Sequence, residues 1–123
     1  MAEYTALVVD DIQDNREIFR NALEMAGYVV SEAVDGLEAI EVLDQHVFDL
    51  LILDLNMPNM DGASVIKKLR KDLRYSRMRI IVATANPQMV TGEMDLLVDH
   101  IVYKPFQLRE FVELARRMKT AID

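Results

Sequence analysis

The stretch Leu50-Leu51-Ile52-Leu53-Asp54 decides the fold class, because four apolar residues in unbroken succession end on a carboxylate. Continuous rather than alternating apolarity suits a short strand buried on both faces of a parallel sheet. Ala6 to Val9, Ile80 to Ala83 and Ile101 to Tyr103 have the same character. A fifth run, Tyr28 to Ala33, contains Ser31 and Glu32 and is expected nearer an edge. Segments of helical period lie between the runs. Ile18, Ala22, Met25 and Ala26 share one face, as do Ile40, Leu43 and Val47, then Ile66, Leu69 and Leu73, and finally Leu108, Phe111, Val112 and Ala115. Gly27 stands where a left-handed helix stop is wanted, and Asp61 with Gly62 makes a helix start. The segment Pro87 to Val98 begins after Asn86-Pro87 and contains Gly92, which predicts a short, late-starting or mobile helix. Regular alternation of strand and helix implies right-handed crossovers and a parallel sheet with helices on both faces.

Composition narrows the function. A chain of 123 residues is the size of one domain. Its net charge of −7 disfavours direct DNA binding, which depends on neutralising phosphates. The one basic run, Lys67 to Arg79, alternates with Leu69, Asp72 and Leu73 and reads as the solvated side of a helix and its exit loop. The absence of cysteine excludes a disulfide scaffold, a thiolate metal site and a cysteine nucleophile, and fits a reducing cytoplasm. No apolar run approaches the ~20 residues needed to span a bilayer. The two histidines, His46 and His100, have no ligand spacing, and the eight methionines are scattered as gap-fillers.

In a parallel sheet, binding sites gather at the carboxyl ends of the strands. Here those ends carry Asp10 and Asp11, Asp54, Thr84 and Lys104. Each has an ordinary explanation alone: Asp11 as a helix cap, Asp54 as a turn residue, Thr84 bonded to backbone, Lys104 in solvent. Together they crowd three carboxylates onto one rim, where two ~5 Å apart repel by roughly 3 kcal/mol at an effective dielectric near 20. A hard divalent cation relieves that repulsion, and Mg2+ leaves coordination positions open for phosphate oxygens. Phosphoryl transfer needs a nucleophile, a metal and donors for the equatorial oxygens. Asp54 can attack as a carboxylate. Asp11 can hold the ion with Asp10 supporting it directly or through water, while Lys104 and Thr84 meet phosphate oxygens. No nucleotide-binding glycine loop is present.

These residues closely resemble the receiver (CheY-like, response regulatory) domains of bacterial two-component response regulators. The match runs nearly end to end, through Val8-Val9-Asp10-Asp11, Asn15-Arg16, Asp35-Gly36 with Ala39, Asp54-Leu55-Asn56-Met57-Pro58, Met60-Asp61-Gly62, Thr84-Ala85 and Lys104-Pro105-Phe106. The resemblance implies a single flavodoxin-like (βα)5 domain over 1–123, with a five-stranded parallel sheet in order 2-1-3-4-5 and no output domain. It implies phosphorylation of Asp54 by a sensor histidine kinase or phosphotransfer protein, with Mg2+ held by Asp11, Asp54 and the Asn56 backbone carbonyl and by Asp10 through water. Thr84 and Lys104 would bond the phosphoryl oxygens, and the Lys104-Pro105 peptide would be cis. Such domains catalyse only their own phosphorylation and dephosphorylation, and Asn56 and Asn86 stand where the family tunes the lifetime of the phosphoryl group. The implied output surface, toward a downstream protein target not named by the sequence or toward a second copy in a dimer, is the fourth helix, fifth strand and fifth helix. Two positions depart from the pattern. Ile101 stands where the family commonly has an aromatic switch residue, with Tyr103 next to Lys104, and Leu97-Val98-Asp99-His100 replaces a Gly-Ala before an acidic pair.

Two other classes use related chemistry. A haloacid-dehalogenase-type phosphatase also has an aspartate nucleophile, but expects a second aspartate where Asn56 stands. A flavodoxin-like module would bind a phosphate cofactor in the first loop, where Asp10-Asp11-Ile12-Gln13-Asp14 would repel it.

Overall fold

The computed structural model describes residues 3–57 and 59–122. Pro58, quoted above in the Asp54 motif, lies outside the described residues, as do both chain ends. Five strands, β1 (Tyr4–Val9), β2 (Tyr28–Ala33), β3 (Leu50–Asp54), β4 (Arg79–Thr84) and β5 (His100–Tyr103), pair in parallel in the order β2-β1-β3-β4-β5. Five helices alternate with them: α1 (Gln13–Met25), α2 (Gly36–Gln45), α3 (Gly62–Arg70), α4 (Gly92–Leu97) and α5 (Leu108–Ile122).

The two-residue period of a strand divides the core into two layers. Leu7, Val9, Leu51, Leu53, Ile80 and Val82 face Ala39, Leu43, Val65, Ile66, Leu69 and Met94 of α2, α3 and α4. Ala6, Val8, Leu50, Ile52, Ile81 and Ala83 face Phe19, Ala22 and Leu23 of α1 and Phe111, Val112 and Ala115 of α5. Each leucine or isoleucine buried in these layers contributes roughly 1.5–3 kcal/mol, which is why unbroken apolar runs fall on the inner strands.

Boundary signals behave as expected. Gly27 has φ 96°, and the Asp61 carboxylate caps α3 by accepting the Ser64 N–H at 2.8 Å. After a 3-10 turn at Pro87–Met89, α4 starts only at Gly92 and runs six residues.

Four expectations of burial need correction. The fifth strand is an edge, with Ile101 and Val102 partly buried and Tyr103 exposed, because among the described residues it pairs with β4 alone. In α1, Ile18 and Met25 are exposed, and the inward face is Phe19, Ala22, Leu23 and Ala26. Phe19 stacks on Phe106 and meets Phe111 edge-on, with centroids 5.0 and 5.1 Å away, which fixes the roll of the helix. Val47 and Leu73 are exposed because α2 and α3 end before reaching them, and Phe48 and Tyr75 enter the core instead; Leu108, in the first turn of α5, is also exposed. Arg70, in the basic run, is mostly buried. Its guanidinium donates to the carbonyls of Leu97 (2.8 Å), Tyr75 (3.1 Å) and Met78 (3.0 Å) and pairs with Asp99 at 3.4 Å.

Candidate functional site

Strand ends place the predicted residues on one rim. Asp10 follows β1, and its N–H donates to the Ala33 carbonyl at 3.2 Å. Its carboxylate is buried; Oδ1 accepts the Ile12 N–H at 3.0 Å and Oδ2 accepts the Lys104 ammonium at 3.0 Å. Asp54 closes β3, with Oδ1 accepting the Asn56 N–H at 3.2 Å and Oδ2 lying 3.6 Å from Lys104 Nζ. Asp11 is exposed at the mouth, and one carboxylate oxygen from each of Asp10, Asp11 and Asp54 fits within 4.8 Å of the others. Burial pushes the Asp54 carboxyl above the ordinary carboxylate range; Asp10 and Asp11 add to this, while the Asn56 N–H and the Lys104 ammonium oppose it.

Thr84 ends β4 and is fully buried. Its hydroxyl oxygen accepts the Asn86 N–H at 2.9 Å, while its own proton has only a 3.5 Å contact to the Asn86 carbonyl. Lys104 follows β5 on the same rim, its N–H donating to the Thr84 carbonyl at 2.9 Å, and the Lys104-Pro105 peptide is cis. Beside Lys104 opens a crevice of about 390 Å3, lined by Asn15, Ile18, Phe19, Ala85, Pro105 and Phe106. The ordinary roles hold in part: Asp54 does start a turn and Thr84 does bond backbone, but Lys104 is paired rather than solvated.

Three carboxylates thus cluster on the rim, and Lys104 is shared between two of them, Asp10 and Asp54. All-oxygen donors in this arrangement suit a hard divalent ion such as Mg2+, which keeps coordination positions for water or phosphate oxygens. At Ile101 the side chain packs against the layer containing Val82, and Tyr103, paired in register with Thr84, is exposed.

Some supporting groups had no assigned role in the sequence. Arg16 donates to the Asp10 carbonyl at 2.8 Å and pairs with Glu32 at 3.1 Å, while Asn15 reaches Asp10 Oδ1 at 3.5 Å. Asn59 donates to Asp35 at 2.6 Å. The signal was present in the quoted motifs Asn15-Arg16 and Asp35-Gly36, but their partners lie on other elements.

Comparison with known proteins agrees with the rim. Residues 6–116 match the family model for the response regulator receiver domain. The chain is 39% identical over 105 residues to the chemotaxis protein CheY1 of Helicobacter pylori, covering 81% of this chain and 84% of that protein. It is 38% identical over 125 residues to a probable transcriptional regulator, ycf27, of Cyanidium caldarium, covering 96% of this chain and 49% of that protein. It therefore spans about half or less of the longer relatives it matches. The structure of the response regulator TrrA from Thermotoga maritima, in complex with Mg2+ and BeF, superposes with a TM-score of 0.83 at 30% identity, covering 94% of this chain and 98% of that one. The chain belongs to the response regulator receiver domains of two-component signalling.

Proposed function

We propose that Asp54 is the phosphoacceptor, receiving a phosphoryl group from a sensor histidine kinase or phosphotransfer protein. The observation that carries this reading is the gathering of Asp10, Asp11 and Asp54 at the carboxyl end of the sheet, with Lys104 between Asp10 and Asp54. One Asp54 carboxylate oxygen forms a bond to phosphorus while the bond from phosphorus to the donor's imidazole nitrogen breaks, its electron pair leaving with the nitrogen. Asp11, Asp54 and the Asn56 carbonyl would hold Mg2+, with Asp10 acting through water; the ion supplies neutralisation of charge on the phosphoryl oxygens. Lys104 turns from Asp10 toward one phosphoryl oxygen, and Thr84, whose hydroxyl proton has only a long contact, donates to another.

The consequence is a switch rather than turnover of a substrate. New bonds to Lys104 and Thr84 favour one of two conformations, read out by a downstream protein or a second copy at α4, β5 and α5. Cytoplasmic residence is part of this reading; among the described residues no helix is long and apolar enough to cross a membrane.

The test is incubation with acetyl phosphate, with and without Mg2+, followed by intact mass. A single base-labile phosphoryl adduct is expected, dependent on Mg2+ and absent from Asp54→Asn. An adduct that survives that substitution, or catalytic turnover of a phosphomonoester, would defeat the proposal.

A further inference from the structure

The loop between β3 and α3 carries Asn56, so its shape matters to any ion bound at Asp54. It is held at both ends. Next to Asp54, the Asn56 N–H donates to the Asp54 carboxylate at 3.2 Å. At the far end, the Gly62 N–H donates to the Leu55 carbonyl at 3.2 Å, and a Cβ at Gly62 would stand 2.6 Å from the Asp54 carbonyl oxygen. Only glycine permits that approach.

At Asn59 and Met60, α2 provides a third hold. A Cβ at Gly36 would lie 2.9 Å from both Met60 Cβ and Val65 Cγ2, so the missing side chain lets the loop lie against the first turn of α2. Asn59 adopts the left-handed conformation, φ 70°, which asparagine tolerates better than most residues. Its amide donates to Asp35 Oδ2 at 2.6 Å, across 24 residues of chain. Asp35 Oδ1 meanwhile caps α2 by accepting the Glu38 N–H at 2.8 Å. Capping requires one oxygen only. The second oxygen is committed to the loop, and because the cap holds the carboxylate, the loop is tied to a helix rather than to a swinging side chain. Bonds to Glu38 and Asn59 also hold the Asp35 carboxyl below its ordinary range.

We propose that Asp35 and Asn59 form a strap that fixes the loop after β3 in the shape needed for Mg2+ to bind at Asp54 and Asn56. Both are positioning residues, and the inference rests on the reading that the ion is held at this rim. An exposed hydrogen bond adds little to global stability because water competes for it. Its effect is therefore expected in metal affinity, at the lower end of the roughly 10–100-fold that groups bonded directly to metal ligands contribute, because Asn59 acts on Asn56 through the chain between them.

The experiment is calorimetric titration of the unphosphorylated full chain with Mg2+ alone. Asp35→Ser keeps a capping oxygen but is too short to reach Asn59, and Asn59→Gly keeps the left-handed backbone while removing the amide. Each is expected to weaken Mg2+ binding by roughly 10-fold, with little change in the metal-free melting temperature. The exchange Asp35→Asn with Asn59→Asp reverses donor and acceptor and should restore most of the affinity. Wild-type affinity in both single variants would overturn the strap. So would a collapse of the melting temperature that the exchange does not repair, which would mark the pair as structural. Failure of the wild type itself to bind Mg2+ would overturn the metal site as well, so the two failures are distinguishable.

Discussion

The two ends of the sheet use aspartate in opposite ways. At the amino ends, Asp49 precedes β3 and Asp99 precedes β5, and each carboxylate has donors of its own. Asp49 Oδ2 accepts the Thr5 N–H at 2.9 Å and, at 3.4 Å, the Thr5 hydroxyl. Asp99 accepts the Ile80 N–H at 2.8 Å, Arg79 at 3.0 Å and Arg70 at 3.4 Å. At the carboxyl ends, Asp10, Asp11 and Asp54 crowd together, with Lys104 shared between two of them. A carboxylate matched to fixed donors is a fastener. Carboxylates placed side by side with too few donors form a receptor for a cation, and parallel topology puts that receptor where helix N-termini also favour an incoming anion.

The largest expected effect separates the two roles. Asp99→Ala leaves the Ile80 N–H and two guanidinium groups without their shared acceptor, and should lower the unfolding free energy by about 2–3 kcal/mol in urea. Mg2+ affinity should be unchanged. Asp11→Ala should do the reverse: Mg2+ affinity falls by at least roughly 10-fold, while stability moves by no more than about 0.5 kcal/mol. The contrast breaks if Asp99→Ala loses the metal or Asp11→Ala loses the fold.

A smaller effect sharpens the contrast within the rim. Because burial raises the Asp54 carboxyl, the folded protein favours its protonated form. The stability this confers is present below the ordinary carboxylate range and is lost as pH rises through the raised value. At neutral pH in chelator, ionised Asp54 therefore destabilises the fold, and Asp54→Asn should raise the melting temperature. That gain should shrink as the buffer is acidified toward the ordinary carboxylate range. A gain that grows on acidification would reverse the sign assigned to the site.

Alternation of strand and helix, the rim residues and the short fourth helix were all legible in the sequence, since each rests on local signals. What was not legible depends on phase or on distant partners. Ile18-Ala22-Met25-Ala26 is as helical a spacing as Phe19-Ala22-Leu23-Ala26, and the rings of Phe106 and Phe111, distant in sequence, select the second. Val47 and Leu73 continued a periodicity past the ends of their helices. Arg70 looked like its basic neighbours because the carbonyls it serves, at Leu97, Tyr75 and Met78, have no sequence signature. The same limit hid the pairing of Asp35 with Asn59.

The smallest prediction concerns Thr5, the partner of Asp49. Its hydroxyl makes only long bonds, at 3.4 Å to the Asp49 carboxylate and 3.3 Å from the Asp49 N–H, and that N–H also has the Thr5 carbonyl at 3.1 Å. The short bond runs from the Thr5 backbone N–H to the Asp49 carboxylate and survives a change of the Thr5 side chain. Thr5→Ala should therefore cost no more than about 1 kcal/mol in urea unfolding, with phosphorylation and Mg2+ affinity unaffected. Asp49→Ala, which strands that N–H, should cost more. If Thr5→Ala proved as costly, the hydroxyl rather than the backbone N–H would be the donor that matters to Asp49.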